Sequence, residues 1–141
     1  MCILRHSLYF LLSIVMKPTV YLYNLRNDKG QQIEILCLTS NIACRHVNVN
    51  EYGKRIGYIA EIEGYSAEDK MAVTTPFTDE MLIFKGFDQE LLTNFLAMYR
   101  AAGIATIPLK AGLTPTNVNW SSVELHAELH QEHQEFLKQK Q

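Results

Sequence analysis

Two stretches of the chain repeat the same order of apolar runs, and this repetition limits the folds that the sequence can adopt. In residues 19–49, and again in residues 81–110, a strand-like run leads through a helical pattern to a second strand-like run. The strand-like runs are rich in β-branched and aromatic residues, and the helical patterns place apolar residues three and four positions apart. The sequence therefore predicts two βαβ units.

A constant shift of 62 positions, without a gap, aligns the two units (103 − 41 = 62). The aligned pairs are Leu25 with Phe87, Ile33 with Phe95, Leu36 with Met98, Ile42 with Ile104 and Val47 with Leu109. Asn41 aligns with Gly103, and both residue types tolerate the positive φ that ends many helices. The alignment favours an internal duplication, although few positions are identical and convergence of two βαβ units also explains it.

Local signals give expected boundaries for these units. Strands are expected at Thr19–Leu25, 42–49, Met81–Phe84 and Ile104–Lys110. Asp28 and Asp88 stand where N-cap residues are expected. In the second unit, Leu91, Phe95, Met98 and Ala102 recur at helical spacing and predict the face that packs on the sheet.

The connector, residues 50–80, decides between two architectures. A helix beginning at Asn50, with Tyr52, Ile56, Ile59 and Ile62 on one face, allows successive strands to lie parallel, although Gly53 and Gly57 weaken it. We prefer this α/β arrangement, in which two duplicated βαβ units form a sheet of about four strands with a C-terminal helix. If the connector instead forms a strand, a ferredoxin-like α+β fold is the alternative. Residues 63–80 read as a surface loop.

The totals support one domain of ordinary composition. A chain of 141 residues buries a sufficient core, and the expected domain is 17–141. The net charge of −2 and the absence of a basic run argue against binding to nucleic acid or to a membrane surface. Oligomeric state does not follow from the sequence.

Residues 1–16 combine Arg5 and His6 with an apolar run, which imitates a signal peptide without its cleavage site. We favour a mis-called start with Met16 as the initiator, ahead of a signal or short anchor, and ahead of a short N-terminal extension that belongs to the fold.

The three cysteines form no CxxC motif and no metal-binding spacing. Cys37 and Cys44 lie in apolar runs and are expected to pack as small core residues, which agrees with a reducing cytoplasm. A redox protein built on these two thiols is a third functional hypothesis, behind the two given below.

The segment from Lys110 to the last helix holds the candidate site. Lys110 ends a predicted strand, where α/β proteins bind ligands, and the following loop supplies polar groups and the only tryptophan. The candidate ligand-binding residues are Lys110, Thr114, Thr116, Asn117, Asn119, Trp120 and Ser121. A purely structural role competes, because Pro115 stiffens the loop, the asparagines form local turns and Trp120 packs at the helix entry.

The last helix is expected to begin at Trp120 or Ser121, with Ser121 and Glu124 as a capping box. Leu125, Leu129 and Phe136 form its narrow apolar stripe, with Val123 and Leu137 off to one side. His126, His130 and His133 lie beside this stripe and are candidate metal ligands, although one helix alone makes a poor ligand set. Ordinary surface histidines explain them as well. No nucleophile, Walker or dinucleotide motif is present, so the sequence assigns no catalytic residue and no cofactor.

Several stretches together resemble a known family: "TVYLYNL", "EYGKRIGYIA", "DEMLIFKGF" and the run from residue 109 to 133. They are similar to an uncharacterised bacterial domain of unknown function, typical of Firmicutes, over Thr19 to His133. Its most specific motif is LKA-x-LT-x-x-N-x-x-W, in which Gly112 replaces a larger residue. The resemblance implies a small cytoplasmic protein that starts at Met16, and it supplies no activity. It places His130 at a variable position, which argues against a three-histidine site.

The leading expectation is therefore a non-catalytic cytoplasmic module that binds a small anionic ligand or a protein partner at loop 110–122. The alternative is a metal-binding protein or metal-dependent enzyme that uses the histidines of the last helix.

Overall fold

A computed structural model describes residues 17–68 and 75–140, and the expectations for residues 1–16 lie outside these ranges. The four strands are β1 (Thr19–Tyr23), β2 (Ala43–His46), β3 (Met81–Lys85) and β4 (Lys110–Gly112). The four α-helices in this part of the chain are α1 (Asp28–Thr39), α2 (Ile56–Ile59), α3 (Gln89–Ala101) and α4 (Ser122–Gln139). Short 3₁₀ turns occupy Val49–Glu51 and Asn117–Asn119. The predicted α/β class and the four-stranded sheet are confirmed.

The strands form one mixed sheet in the order β2-β1-β3-β4. Each βαβ unit contributes a parallel pair of neighbours, β1 with β2 and β3 with β4. The two units meet through β1 and β3, which are antiparallel, with Thr19 opposite Lys85 and Tyr23 opposite Met81. The expected parallel order of successive strands is therefore wrong at the junction between the units.

The ferredoxin-like alternative is also wrong. A ferredoxin-like sheet separates the two strands of each βαβ unit, whereas here they are direct neighbours. The connector segment that the alternative required as a strand instead contains α2. The chain between β2 and α2 returns across one face of the sheet, which permits β3 to enter beside β1 in the opposite direction.

The two units keep the same backbone turns up to the end of their helices. Asn41 and Gly103 both have positive φ, 56° and 74°, as expected for their place after the helix. A second matched pair, Asn24 and Gly86, has φ of 58° and 74° after β1 and β3. These turns agree with the shift of 62 positions, and the duplication itself stays a prediction.

The correspondence breaks before the last strand of each unit. The amide of Val47 donates to Leu22 O at 2.9 Å, and the equivalent bond to Phe84 O, at 3.0 Å, comes from Leu113. The gap-free alignment instead placed Leu109 opposite Val47. The expected strand Ile104–Lys110 is replaced by the shorter β4, which begins at Lys110, and the carbonyl of Leu109 just before it accepts from Leu82 N of β3 at 3.0 Å.

The helix caps follow from short polar side chains. Asp88 caps α3 as predicted, since its Oδ1 accepts a hydrogen bond from Leu91 N at 2.7 Å. For α1 the cap is Asn27, one residue before the predicted Asp28, and its Oδ1 accepts from Gly30 N at 2.9 Å. Satisfying one free amide at a helix start in this way contributes about 1 kcal/mol.

The two faces of the sheet carry separate cores. Val20, Leu22, Leu82 and Phe84 pack against α1 and α3, and Tyr21, Tyr23, Met81 and Ile83 pack beneath α2 and α4. On α3, Phe95 and Tyr99 are the buried positions, whereas Met98 is 39% exposed. The predicted packing face of α3 included Met98, whereas the observed face includes Tyr99 instead. Its two aromatic residues cover the sheet.

The connector forms a single turn of helix rather than the predicted long one. Tyr52, Ile56 and Ile59 are buried against the second face of the sheet as expected. Gly57 is needed at this place, because a Cβ there would lie 2.6 Å from the ring of Tyr65. Among the described residues no helix is both long enough and apolar enough to cross a membrane.

Candidate metal centre

The loop between β4 and α4 holds its own polar groups together. Asn117, which is buried, accepts from Thr114 N through Oδ1 at 2.9 Å and donates from Nδ2 to Gly112 O at 2.9 Å. The amide of Asn117 in turn donates to Oγ1 of Thr114 at 2.9 Å. These bonds use the side chain of Asn117 on both its oxygen and its nitrogen, so its geometry is that of a turn-forming residue.

The end of the same loop is hydrogen-bonded to the connector, residues 50–80. Asn119 accepts a hydrogen bond from the Tyr65 hydroxyl at 2.8 Å, and its carbonyl accepts one from the guanidinium of Arg55. The carbonyl of Trp120 accepts from Ile56 N at 2.8 Å. The indole of Trp120 is half-buried in the core that lies beneath α2 and α4. These contacts give the asparagine and the tryptophan a structural role.

The remaining predicted ligand-binding residues are placed in a similar way. Lys110 donates from Nζ to Ile107 O at 2.5 Å, and burial lowers the pKa of its amine. Thr116 is exposed at the start of the 3₁₀ turn. Ser121 is buried and caps α4. Ligand binding at this loop stays a prediction, and the structure explains most of its polar residues without a ligand.

The start of α4 matches the sequence prediction. Ser121 Oγ accepts from Glu124 N at 3.1 Å, and Glu124 Oε1 accepts from Ser121 N at 3.0 Å, which confirms the capping box. Ser122 is fully buried, and its Oγ lies 2.7 Å from the Tyr23 hydroxyl of β1. Burial raises the pKa of Tyr23 well above its ordinary value, so this phenol stays protonated. The bond fixes the N-terminal end of α4 to the centre of the sheet.

Only the first half of α4 packs on the domain. Leu125 is buried and Leu129 partly so, but Phe136 is 50% exposed and Leu137 is 42% exposed. The predicted apolar stripe through Phe136 is therefore wrong at its C-terminal end, because the helix extends beyond the sheet. The histidines that lie in the packed half are His126 and His130.

A carboxylate from a distant part of the chain joins these two histidines. Nε2 of His126 lies 2.8 Å from Oδ2 of Asp79, and Nδ1 of His130 lies 3.8 Å from the same oxygen. One donor atom from each of Asp79, His126 and His130 lies within 4.8 Å of the others. His133, the third predicted ligand, is not in this group. The described residues hold no second group of three such side chains.

Aromatic stacking holds His126 in place. Its imidazole lies parallel to the ring of Phe77, with centroids 4.2 Å apart and an interplanar angle of 4°. Phe77 in turn stacks on Tyr52, with centroids 4.7 Å apart. On the other side, the centroids of His126 and His130 are 5.7 Å apart. The rings of Tyr52, Phe77, His126 and His130 therefore follow one another across this surface, and the stack on Phe77 fixes the orientation of His126.

Asn24 holds the chain segment that carries Asp79. Its Nδ2 donates to the carbonyls of Phe77, at 3.1 Å, and Asp79, at 2.8 Å. Its Oδ1 accepts from the Tyr52 hydroxyl at 2.9 Å. Asn24 has a φ of 58°, a conformation that asparagine adopts more readily than most residues. This residue thus turns the chain after β1 and at the same time positions the carboxylate.

Asn24, Phe77 and Asp79 were missed as site residues by reasoning from sequence. Phe77 and Asp79 belong to the stretch predicted as a surface loop, and Asp79 lies 47 positions before His126. The one usable signal was a large aromatic residue in an otherwise polar segment, "TPFTDE". Such a residue indicates a segment that packs on the domain, but it does not indicate where.

An open cavity of about 460 Å³ lies beside this surface, at the carboxyl ends of β1 and β2. Asn24 and Tyr52 form its wall on the side of the cluster, and Arg26, His46 and Asn48 line the rest. Arg26 donates to Asn48 Oδ1 at 2.6 Å, and His46 pairs with Glu34. Arg26 and His46 therefore already have side-chain partners in this structure.

The cluster has the chemistry of a site for a transition metal. A tetrahedral ion with bonds of about 2.0–2.1 Å holds its ligand atoms about 3.3 Å apart. The two measured distances to Oδ2, 2.8 and 3.8 Å, lie on either side of that value. The two imidazole donor atoms lie within 4.8 Å of each other, so all three side chains face one small volume.

One family model matches part of the chain, and no comparison with known proteins indicates a function. Residues 80–136 match the model of a family described as a domain of unknown function, DUF3783. The expected resemblance to an uncharacterised family is thereby confirmed for this part of the chain, which runs from β3 into α4. No curated protein and no solved structure matches the chain.

Proposed function

We propose that this chain, with its DUF3783 segment, is a metal-binding protein in which Asp79, His126 and His130 hold a divalent transition-metal ion. The observation that carries the proposal is the convergence of three donor atoms within 4.8 Å from two separate parts of the chain. Two of the donors come from successive turns of α4, and the third comes from the segment that Asn24 fastens before β3.

The donor types favour zinc and its neighbours over magnesium and calcium. Imidazole nitrogen suits Zn²⁺, Co²⁺, Ni²⁺ and Cu²⁺, whereas the hard ions prefer sites made of oxygen alone. With two nitrogens and one carboxylate, the cluster supplies three ligands to an ion that takes four or more. The remaining position faces solvent, since the Asp79 and His130 side chains are 53% and 51% exposed.

The hydrogen bond between His126 and Asp79 agrees with metal binding. In the metal-free protein His126 bonds to the Asp79 carboxylate, and a metal ion takes the place of the proton between them. The bond also sets the ring orientation in advance, since Nε2 already points at the site. Preorganisation of this kind raises affinity by reducing the ordering that binding requires.

The site is proposed for this chain and not for the whole family. The resemblance to the family places His130 at a variable position, and the DUF3783 match begins just after Asp79. The proposal includes a cytoplasmic location, supported by the free thiols of Cys37 and Cys44.

The test is direct measurement of zinc binding by purified protein without a histidine tag. We expect one equivalent of Zn²⁺ by calorimetry and by elemental analysis. The variants Asp79→Asn and His130→Ala should each weaken binding by at least about 100-fold, because loss of even an outer-shell partner costs 10–100-fold. Both side chains are half-exposed, so these variants should keep the fold.

His133→Ala is the matched control, because it removes an imidazole from the same helix outside the cluster. It should bind zinc like the unaltered protein. Equal weakening by all three variants would mean diffuse binding along α4, and unaltered zinc binding in Asp79→Asn would remove the proposed site.

A further inference from the structure

We propose that the open cavity at the carboxyl ends of β1 and β2 binds a small organic molecule by its carboxylate or phosphate group, which Arg26 holds. The site does not depend on an ion in the metal cluster. Its volume of about 460 Å³ is within the range of about 300–1,000 Å³ of small-molecule sites. Ligands of α/β proteins commonly bind beyond the carboxyl ends of parallel strands, and this cavity occupies that place.

The cavity contains a positive charge without an acidic partner. Of the described residues that line it, Arg26 and His46 are basic and none is acidic. His46 pairs with Glu34, whereas Arg26 donates to the neutral amide of Asn48. Asp28 and Glu34 line an adjacent depression, which Arg26 also borders. The guanidinium of Arg26 therefore keeps its full charge for a ligand in the cavity.

Two amide side chains add hydrogen-bond donors to the cavity lining. Oδ1 of Asn27 accepts from Gly30 N at 2.9 Å, and Oδ1 of Asn48 accepts from Arg26 at 2.6 Å. These bonds fix the orientation of both amides, and neither Nδ2 group has a partner in the described part of the chain. Together with the unused N–H groups of Arg26, they give the cavity an excess of donors. Ionised carboxylate and phosphate oxygens supply the matching acceptors.

Two valines give the same cavity an apolar part. Val47 is buried at its base, and Val49 is 57% exposed in the 3₁₀ turn after β2. An inorganic ion would contact neither side chain while it is bound to Arg26 and would fill only a small part of the volume. The expected ligand is therefore an organic acid or organic phosphate with an apolar portion.

Phenyl phosphate and benzoate are the probes for the test, and benzyl alcohol is the uncharged comparison. They are titrated into the full chain after treatment with EDTA, so that the metal cluster carries no ion. In two-dimensional ¹H–¹⁵N NMR spectra, the amides of residues 24–27 and 46–49 should shift to saturation with at least one of the two oxyanions. Benzyl alcohol should not shift them. The oxyanion that binds more tightly distinguishes a phosphate site from a carboxylate site.

Two variants test the role of the Arg26 charge. Arg26→Gln should weaken binding of the tighter probe by at least about 10-fold, because a hydrogen bond to a charged group contributes about that factor. Asn48→Asp should weaken it similarly, since its carboxylate would neutralise Arg26 across the existing contact. Both side chains are exposed, so these variants should keep the fold.

Arg100→Gln is the matched control, because it removes the same charge from an exposed position on α3 outside the cavity. It should bind the probe like the unaltered protein. The proposal is overturned if neither oxyanion gives saturable shifts at millimolar concentration, or if benzyl alcohol binds equally well. Equal affinities in the Arg26→Gln and Arg100→Gln variants would also overturn it. Shifts confined to the amides around His126 and His130 would place the probe at the metal cluster and remove the proposed site.

Discussion

The loop before α4 and the histidines of α4 are adjacent in sequence, yet their polar groups have different kinds of partner. In the loop, Asn117 and Thr114 satisfy each other, and Asn119 binds the connector. In the cluster, two imidazoles and a carboxylate converge at a partly exposed surface. The sequence made the loop the stronger ligand-binding candidate, whereas the geometry favours the cluster. The side chain of Asn117 bonds the backbone of its own loop, whereas Asp79 and the histidines bond one another at a half-exposed surface.

The largest expected effect concerns the proposed metal cluster of Asp79, His126 and His130. Saturating Zn²⁺ should stabilise the protein against urea by about 2.7 kcal/mol when free zinc is 100 times its dissociation constant. Asp79→Asn should remove most of that gain and leave the stability without zinc nearly unchanged, since Asp79 is half-exposed. Urea titrations with and without zinc measure both quantities. An equal gain in the variant would place the ion elsewhere.

The next largest effect concerns the loop before α4. Asn117→Ala removes two hydrogen bonds from a buried turn and should lower the free energy of unfolding by about 2 kcal/mol. Trp120→Ala should also destabilise the protein, because the indole packs in the core beneath α4. Chemical denaturation gives both values. Variants that keep full stability but lose affinity for a small anion or a protein partner would restore the loop as a binding site.

A smaller effect is expected at the boundary between the two regions. Ser121→Ala removes one half of the capping box at the start of α4 and should cost about 1 kcal/mol. Zinc affinity should change little, because His126 lies beyond the first turn of the helix. Denaturation and calorimetry on the same variant separate stability from binding. A large loss of zinc affinity would show that the cap also positions the cluster.

The smallest effect lies at the far end of α4. Phe136→Ser should change the free energy of unfolding by no more than about 0.5 kcal/mol, because the ring is half-exposed beyond the sheet. Val123, in the first turn of the same helix, packs against the core and supplies a contrasting position. A cost of more than about 1 kcal/mol at Phe136 would mean that it is covered in solution, for instance by a second copy of the chain.

Local signals predicted much of the secondary structure, but not the short connector helix, the late start of β4 or the packing. The strands at the start of each unit, the Asp88 cap and the Ser121–Glu124 capping box were all predicted. Exposure was less well predicted, as Met98 and Phe136 show. Periodicity defines which residues share a helix face, but the tilt and length of a helix relative to the sheet decide how much of that face is covered.

The candidate site shows the same limit. His126 and His130 could be chosen from their spacing on one helix, since residues four apart lie on one face. Their partner Asp79 lies 47 positions earlier and became a partner only because Asn24 and Phe77 hold its segment against α4. No spacing rule connects residues in separate elements.

The sequence by itself determined the α/β class, the two strand–helix–strand units, the positive-φ residues that end their helices and the start of α4. Each of these follows from interactions within a few residues. The tertiary structure alone decided that the units join antiparallel through β1 and β3, that β4 lies later than the alignment placed it, and that Asp79 meets the histidines. These outcomes depend on packing between side chains that are distant in sequence, which local signals do not specify.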